Sequence, residues 1–326
     1  MKEPETKVNG IINIYKEKGF TSHDVVAKMR GILKMKKIGH TGTLDPEAEG
    51  VLPVCLGKGT KLVELITDKD KTYEAVLKLG IVTDTQDLTG EVLKVSEVKA
   101  DLPEITAVML SFIGEYDQLP PMYSAIKVNG KKLYELARQG KEIERDTRRV
   151  VIHDIRILDY SESEHEVKVS VDCGKGTYIR TLLHDIGEAL GCGGTMKSLI
   201  RTRVGSFLLK EALKLSEVEE LVRSDRISEH ILPVEELFRD YRKIIVEKEF
   251  DKFIHNGNVL SIDKLRNSDV GELNFKLRTE SDRDLTASEL TKPDIRIRVY
   301  DSDQEFIGIY QYDPEENIFR PIKMFL

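Results

Sequence analysis

The spacing of hydrophobic residues switches repeatedly between two periods over the first 238 residues, and this limits the folds that the chain can form. Residues 71–79 and 166–172 alternate apolar and polar positions, which is typical of a half-buried strand. Residues 178–190 instead repeat apolar positions every three or four residues, which predicts an amphipathic helix. Further strands are predicted at 10–15 and 150–158, and further helices after capping residues at 21–24, at 103–112 and at 216–223. The chain is therefore expected to mix strands and helices.

The pattern changes near residue 238. Beyond it the apolar segments become short and are separated by turn residues, which predicts strands at 244–247, 259–262, 295–300 and 305–312. The tetrapeptide at 301–304, Asp-Ser-Asp-Gln, suits the turn of a hairpin between the last two strands. We therefore expect two domains, one spanning residues 1–238 and a smaller β-rich one spanning 239–326.

A glycine- and proline-rich stretch from residue 39 to 61 predicts loops. Within it, Pro46 biases Asp45 toward extended backbone, which would present a carboxylate from a stiff loop. Local physics favours a structural role for these residues. Asp45 would cap a short helix that begins at Pro46, and His40 would be an ordinary hydrogen-bonded histidine.

Composition argues against several classes of protein. The longest apolar runs, such as 51–55, fall far short of the roughly 18 residues that a membrane span needs. The first ten residues lack the apolar segment of a secretion signal, so a cytoplasmic protein is expected. Cys55, Cys173 and Cys192 are widely spaced and form no C-x-x-C pair, which argues against disulfides and against a metal site.

The net charge of −7 is distributed unevenly. Residues 1–62 carry 11 basic and 7 acidic side chains, and residues 127–149 carry 8 and 4. Residues 301–326 reverse the sign, with 2 basic and 6 acidic side chains. Two solvated faces would explain these stretches, but local charge rather than net charge decides whether a chain binds nucleic acid.

Residues 191–198, Gly-Cys-Gly-Gly-Thr-Met-Lys-Ser, resemble a phosphate-binding loop. Such a loop requires glycine immediately before the Lys-Ser pair, and Met196 occupies that position. We therefore expect no nucleotide cofactor, and no other cofactor motif is found in the sequence.

Several separated motifs resemble those of the bacterial tRNA pseudouridine-55 synthases, the TruB family of pseudouridine synthases. They cover roughly residues 10–238 and stand in the chain as GHTGTLDPEAEGVLPV (39–54), KTYEA (71–75), QLPPMYSAIKVNGKKLYELARQG (118–140), GTYIRTLLHDIG (176–187) and MKSLIRTRVGSF (196–207). The resemblance implies an α+β catalytic domain with a mixed, largely antiparallel sheet and flanking helices. It also implies a PUA-like RNA-binding domain at 239–326.

The reaction that the resemblance implies is the isomerisation of uridine-55 in the T loop of tRNA, without cofactor or metal. Asp45 matches the catalytic aspartate, and Arg180 matches an arginine that pairs with it. An arginine within about 4–6 Å would keep the aspartate ionised and orient it. Asp45 would attack C1′ of the ribose, attack C6 of the uracil, or assist loss of the C2′ proton through a glycal, and the sequence does not choose among these.

The resemblance also implies residues that hold the extruded base. Tyr73 matches an aromatic residue that stacks on the uracil, and Leu199 matches one that lines its pocket. His40 would lie beside the flipped nucleotide or replace its stacking. Tyr178 would share a face with Arg180 if their segment were extended. Read without the resemblance, Tyr73 and Leu199 are ordinary core residues and Arg180 is a solvated arginine at a helix start.

Basic residues are expected to contact tRNA phosphates, and the candidates are Lys58, Lys61, Lys127, Lys131, Lys132, Arg148 and Arg149. The segment at about 117–149 is expected to be an insertion that clamps the tRNA. The protein is expected to act on the T stem-loop as a monomer, without an obligatory protein partner or a membrane. Two alternatives remain open. The first is a non-catalytic RNA-binding protein or tRNA folding chaperone, and the second is an isomerase that a partner complex guides to another RNA.

Overall fold

The computed structural model describes residues 8–124, 126–128, 130–261, 295–316 and 318–326, and these divide into two compact units. The first unit comprises Ile12–Cys55 and Leu62–His230, and the second comprises Val8–Ile11, Leu56–Lys61 and Ile231–Leu326. Among the described residues no helix has the length and apolar character needed to cross a bilayer.

Strands form the centre of the first unit. In chain order they are β1 (Gly10–Lys16), β2 (Ile38–His40), β3 (Glu49–Leu56), β4 (Lys71–Leu79), β5 (Ile81–Thr83), β6 (Val92–Val95), β7 (Gly114–Gln118), β8 (Lys127–Val128), β9 (Lys131–Lys132), β10 (Arg148–Ser161), β11 (Glu166–Cys173), β12 (Gly194–Val204) and β13 (Phe207–Leu208). Among the described residues, nine of them form one sheet with the path β1-β3-β12-β4-β11-β10-β7, to which β2 and β13 add at β3 and β12. Strand β12 runs parallel to β3 and antiparallel to β4, and the pairs from β4 to β7 are antiparallel.

Helices flank this sheet. They are α1 (Ser22–Leu33), α2 (Val63–Thr67), α3 (Leu102–Ser111), α4 (Leu133–Ala137), α5 (Ile179–Ala189) and α6 (Leu215–Arg223), with short 3₁₀ turns at Gly57–Leu62, Leu209–Glu211 and Ile227–His230. The apolar face of α5 packs with α3 and the central strands into one core, which includes Leu182, Leu183 and Ile186. The mixed fold with a largely antiparallel sheet is confirmed.

The second unit contains a five-stranded sheet within the described residues, with the order β14-β16-β17-β18-β15. Its elements are β14 (Arg242–Ile245), α7 (Asp251–His255), β15 (Leu260–Ser261), β16 (Arg296–Tyr300), β17 (Phe306–Asp313) and β18 (Ile318–Met324), with 3₁₀ turns at Val234–Phe238 and Lys248–Phe250. The predicted hairpin turn at 301–304 is confirmed, because the Asp301 carboxylate accepts hydrogen bonds from the backbone N–H groups of Asp303 and Glu305. The end of the strand predicted at 259–262 lies outside the described residues.

One sequence prediction needs correction. The stretch at 39–61 is a loop only in part, because β3 occupies Glu49–Leu56. The side chains of this strand are buried on both faces of the sheet, so its apolar run is continuous rather than alternating. The division by contacts places Ile231 in the second unit, while the domain boundary at residue 238 stays a prediction. Ile11 and Leu232 exchange backbone hydrogen bonds of 2.9 and 2.8 Å, which joins residues 8–11 to that unit.

Candidate active site

A cavity of about 620 Å³ opens in the first unit. It is lined by the loop after β2, the turn that leads into α5, neighbouring positions of β4 and β12, the start of β10, the end of α2 and Ser124. Charged and apolar residues meet here, with Asp45 and Arg180 on the wall beside Tyr73 and Leu199. The cavity therefore brings together these four predicted site residues, and three more of the predicted set, Tyr178, Arg148 and Arg149, also line it.

Asp45 lies in the loop that joins β2 to β3. The backbone N–H of Ala48 donates to the Asp45 carbonyl at 3.1 Å, which closes a turn over Pro46 and Glu47. No helix begins at Pro46, so the expectation that Asp45 is a helix cap is wrong. Its side chain is instead 40% exposed and lines the cavity.

Arg180 lies in the first turn of α5, and its side chain is only 5% exposed. Its Nε is 3.0 Å from Oδ2 of Asp45. Its two terminal nitrogens donate to the carbonyls of Thr85 at 2.9 Å and Tyr123 at 2.8 Å. Every nitrogen of the guanidinium thus has a partner, and the alternative of a solvated arginine is wrong. The guanidinium is thus fixed in place, and its Nε contacts one oxygen of the Asp45 carboxylate.

Tyr73 and Leu199 form an apolar part of the cavity wall from the neighbouring strands β4 and β12. Both are buried, and both also belong to the core cluster of the sheet. Burial raises the pKa of the Tyr73 hydroxyl, so this group is neutral at pH 7. The wall therefore offers a neutral aromatic side chain and an aliphatic one to whatever enters the cavity.

Tyr178 is the residue immediately before α5, and it lines the same cavity. Gln118 holds its backbone from both sides, accepting from the Tyr178 N–H at 2.8 Å and donating to its carbonyl at 3.0 Å. Tyr178 is extended and Arg180 is helical, so the two residues do not lie in one extended segment, which was the condition for sharing a face. Both residues nevertheless line the cavity.

Two family models match the chain in succession. The TruB family pseudouridylate synthase (N terminal domain) covers residues 30–179, and the tRNA pseudouridylate synthase B C-terminal domain covers 180–239. A protein of Lachnoclostridium phytofermentans named tRNA pseudouridine synthase B is 56% identical, over 98% of this chain and 100% of its own length. The chain belongs to the TruB family. The resemblance stated from the motifs is thereby confirmed.

Further TruB relatives and a solved structure agree with this assignment. A tRNA pseudouridine synthase B of Bacillus velezensis is 42% identical over 98% of both chains. A crystal structure of a Cbf5-Nop10-Gar1 complex contains a chain that is 26% identical, with a TM-score of 0.68 over 100% of this chain and 88% of that one. The fold of this TruB chain therefore has a counterpart in solved structures.

His40 of this TruB chain is not among the residues that line the cavity. It lies in β2, where its ring packs edge-on against His23 with 5.0 Å between ring centroids. Burial lowers its pKa to about 4, and the neighbouring His23 and Arg201 add to this effect. The ring is therefore neutral at pH 7.

The basic residues predicted to bind phosphate fall into three groups. Arg148 and Arg149 are exposed and line the cavity, and Arg149 is paired with Asp117 at 2.9 Å and with Glu115 at 3.3 Å. Lys58 and Lys61 belong to the second unit, where Lys61 donates to the carbonyls of Met324 and Leu326. The third group lies in β8 and β9 and contains Lys127, Lys131 and Lys132. The side chain of Lys127 is outside the part of the chain that the structure describes.

Sequence reasoning missed Arg201 and Lys71, which also line the cavity. Arg201 is 1% exposed, and it donates to the carbonyls of Val51 at 2.7 Å and Gly42 at 3.3 Å. Burial lowers the pKa of Lys71 to about 8, and its ammonium donates to the carbonyls of Thr67 and Lys69. The alternation of 71–79 is a signal for Lys71, because it places this lysine on the buried face with Tyr73.

Metal ligands are not gathered anywhere in the described residues, where no group of three or more His, Cys, Asp or Glu side chains could hold an ion. Cys55, Cys173 and Cys192 are buried free thiols. Burial raises the pKa of Cys55 and of Cys173 to about 12, so neither thiol is a ready nucleophile at pH 7.

Proposed function

We propose that this chain converts uridine-55 in the T loop of tRNA to pseudouridine. The names of its relatives support the reaction and the class of substrate. The observation that carries the proposal is the ion pair of 3.0 Å between Asp45 and Arg180, at the wall of a cavity that also contains Tyr73 and Leu199. A charged carboxylate beside an apolar wall suits a reaction at the sugar and base of one nucleotide.

The reaction breaks the bond from C1′ to N1 and forms a bond from C1′ to C5. The C5 proton is lost and N1 gains a proton, so the change is an isomerisation without redox or net hydrolysis. Asp45 acts as nucleophile at C1′ or C6, or assists removal of the C2′ proton. Arg180 pairs with this carboxylate from a fixed position, because each guanidinium nitrogen is held by a separate partner.

Access to the target base requires its extrusion from the folded RNA loop, which costs a few kcal/mol. Tyr73 offsets this cost by stacking on the uracil, since base–aromatic stacking contributes about 1–3 kcal/mol. Leu199 and Tyr178 complete the pocket for the base. His40 is close in sequence to Asp45 but does not line the cavity, so we assign it a role in supporting the loop rather than in binding uracil.

The decisive experiment maps pseudouridine in tRNA incubated with the purified protein and with the Asp45→Asn variant. We expect pseudouridine at position 55 with the wild type and none with the variant, while both bind tRNA. Asp101→Asn is the matched control, because Asp101 caps α3 and asparagine caps a helix equally well. A wild-type protein that binds tRNA without forming pseudouridine would be the non-catalytic RNA-binding protein of the first alternative.

We further propose that the cytoplasmic protein acts as a monomer without a partner protein. The relative from Lachnoclostridium, which is 56% identical over 98% of this chain, is named as one protein rather than as a complex, and this name supports the proposal. Turnover of a tRNA transcript by the purified chain alone, eluting as a monomer in size exclusion, is the expected result. A requirement for a second protein would support the alternative of a guided isomerase.

The segment 117–149 is proposed to hold the tRNA, because its residues Ser124, Arg148 and Arg149 line the cavity. Tyr123 binds Arg180 through its carbonyl, and Arg148 pairs with Gln118 across β10 and β7. Deletion of residues 126–144 is expected to weaken tRNA binding. Unchanged affinity would contradict the role. Residues 239–326 are proposed to be the PUA-like RNA-binding domain.

A further inference from the structure

The hydroxyl of Ser22, in the first turn of α1, is hydrogen-bonded to the loop that carries Asp45. This hydroxyl accepts a hydrogen bond from the backbone N–H of Leu44 at 2.9 Å and lies 3.4 Å from the Leu44 carbonyl, to which it donates. Ser22 is fully buried, and the Leu44 side chain is buried in the core of the sheet. Both polar backbone groups of the residue before Asp45 are thus held by one side chain.

Ser22 is not needed to cap the helix in which it lies. The N-terminus of α1 is capped by the preceding residue, Thr21, whose hydroxyl accepts from the Asp24 N–H at 3.0 Å. Asp24 in turn accepts from the Thr21 N–H at 2.8 Å, which completes a capping box. The Thr21 hydroxyl therefore caps the helix, and the adjacent Ser22 hydroxyl binds the loop.

Other side chains hold the same loop on either side of Leu44. Lys16 donates to the Pro46 carbonyl at 3.2 Å, and Arg201 donates to the Gly42 carbonyl at 3.3 Å. Lys16, Ser22 and Arg201 are all buried, so water does not compete strongly for these hydrogen bonds. The backbone is held at residues 42, 44 and 46, while the Asp45 side chain is left to face the cavity.

We propose that Ser22 is a positioning residue for the chemical step, which it serves by fixing Leu44 and thereby the direction of the Asp45 carboxylate. The inference rests on the proposed function, in which Asp45 reacts with the nucleotide. Asp45 is 40% exposed and has its ion pair with Arg180 on one side only, so the pair alone leaves the carboxylate able to swing with its backbone. A displacement of about 1 Å at a reacting group costs about 10²-fold in rate.

The test compares two neighbouring hydroxyl deletions, Ser22→Ala and Thr21→Ala. Single-turnover formation of pseudouridine is measured with excess enzyme, together with the Kd for tRNA, well below the unfolding temperature of each variant. Ser22→Ala is expected to lower the rate constant by about 10–100-fold with an unchanged Kd. Thr21→Ala, which removes a helix cap and nothing from the loop, is expected to remain within about twofold of the wild type.

Ser22→Cys keeps the inference testable if the alanine variant does not fold. A thiol is a weaker donor and acceptor than a hydroxyl, so an intermediate rate constant is expected with an unchanged Kd. Equal rates for Ser22→Ala and Thr21→Ala, or a loss confined to Kd, would overturn the positioning role. These results differ from a failure of the proposed function, in which the wild type itself forms no pseudouridine.

Discussion

Arg180 connects three segments of the first unit through one side chain. Its nitrogens reach Asp45, the Thr85 carbonyl between β5 and β6, and the Tyr123 carbonyl in the segment 117–149. Replacing this buried arginine would remove the hydrogen-bond donors of all three acceptors at once. The geometry of the fork therefore matters as much as the charge, and a lysine at this position would not replace it.

Arg180→Lys is accordingly expected to lower the single-turnover rate by at least about 10²-fold, although the positive charge is retained. One ammonium on a different stem cannot reach three fixed acceptors, and each lost hydrogen bond to a charged group costs about 1.5–3 kcal/mol. Stability is measured by urea unfolding alongside the rate. Arg223→Lys, on the exposed face of α6, is the control and should change neither. A near-normal rate for Arg180→Lys would show that charge alone suffices.

At the residue scale, the sequence predicted which side chains meet but not what holds them. Asp45 and Arg180 are 135 positions apart in the sequence. Their pairing was predicted from the family resemblance alone, and no local pattern indicated it. Arg201 was missed because a charged residue in a strand is ordinarily assigned to the solvent face. Its burial depends on the carbonyls of Val51 and Gly42, which come from a distant part of the chain.

At the scale of elements, local pattern predicts well where one face of an element is buried. Strand β4 was predicted at residues 71–79 and is found there, because burial alternates along its whole length. Strand β3 was mistaken for loop because both its faces are covered, which removes the alternation, and because glycine and proline punctuate it. Alternation of apolar and polar residues therefore fails to predict a strand where the rest of the protein covers both of its faces.

Two helical glycines allow a matched prediction about elements. Gly31 in α1 has no atom within 4 Å of the place where a Cβ would stand, so Gly31→Ala is expected to stabilise the protein by about 0.5–1 kcal/mol. Gly187 in α5 lies against β12, where a Cβ would stand 2.2 Å from the backbone nitrogen of Gly194. Gly187→Ala is expected to destabilise by about 1–3 kcal/mol, because α5 must move from the sheet.

Urea unfolding of both variants checks this prediction, and the rate of pseudouridine formation adds a second measurement. Since α5 begins with Arg180, a shift of the helix at Gly187 is expected to lower the rate as well. Gly31→Ala should leave the rate unchanged. The same sign of stability change in both variants would mean that helix propensity, and not the close approach of α5 to β12, governs these positions.

At the scale of the whole molecule, the division into units could not be predicted from local patterns. It depends on the pairing of Ile11 with Leu232, which are separated by most of the chain. Net charge was equally uninformative, because a chain of charge −7 is expected to repel RNA on average. Binding must therefore depend on where positive charge lies, and the cavity wall with Arg148 is such a place.

Two arginines on β10 separate local charge from net charge. Arg148 lines the cavity, whereas Arg156 is paired with Asp154 and lies eight residues along the same strand, about 27 Å away. That distance exceeds the screening length of about 10 Å at 0.1 M salt.

Arg148→Gln and Arg156→Gln make the same change in net charge. If Arg148 contacts a tRNA phosphate, its loss should weaken binding and reduce the magnitude of the slope of log Kd against log salt by about 0.7–0.9. Arg156→Gln should leave the slope unchanged, and equal effects of the two variants would mean that net charge, not a local contact, sets the affinity for tRNA.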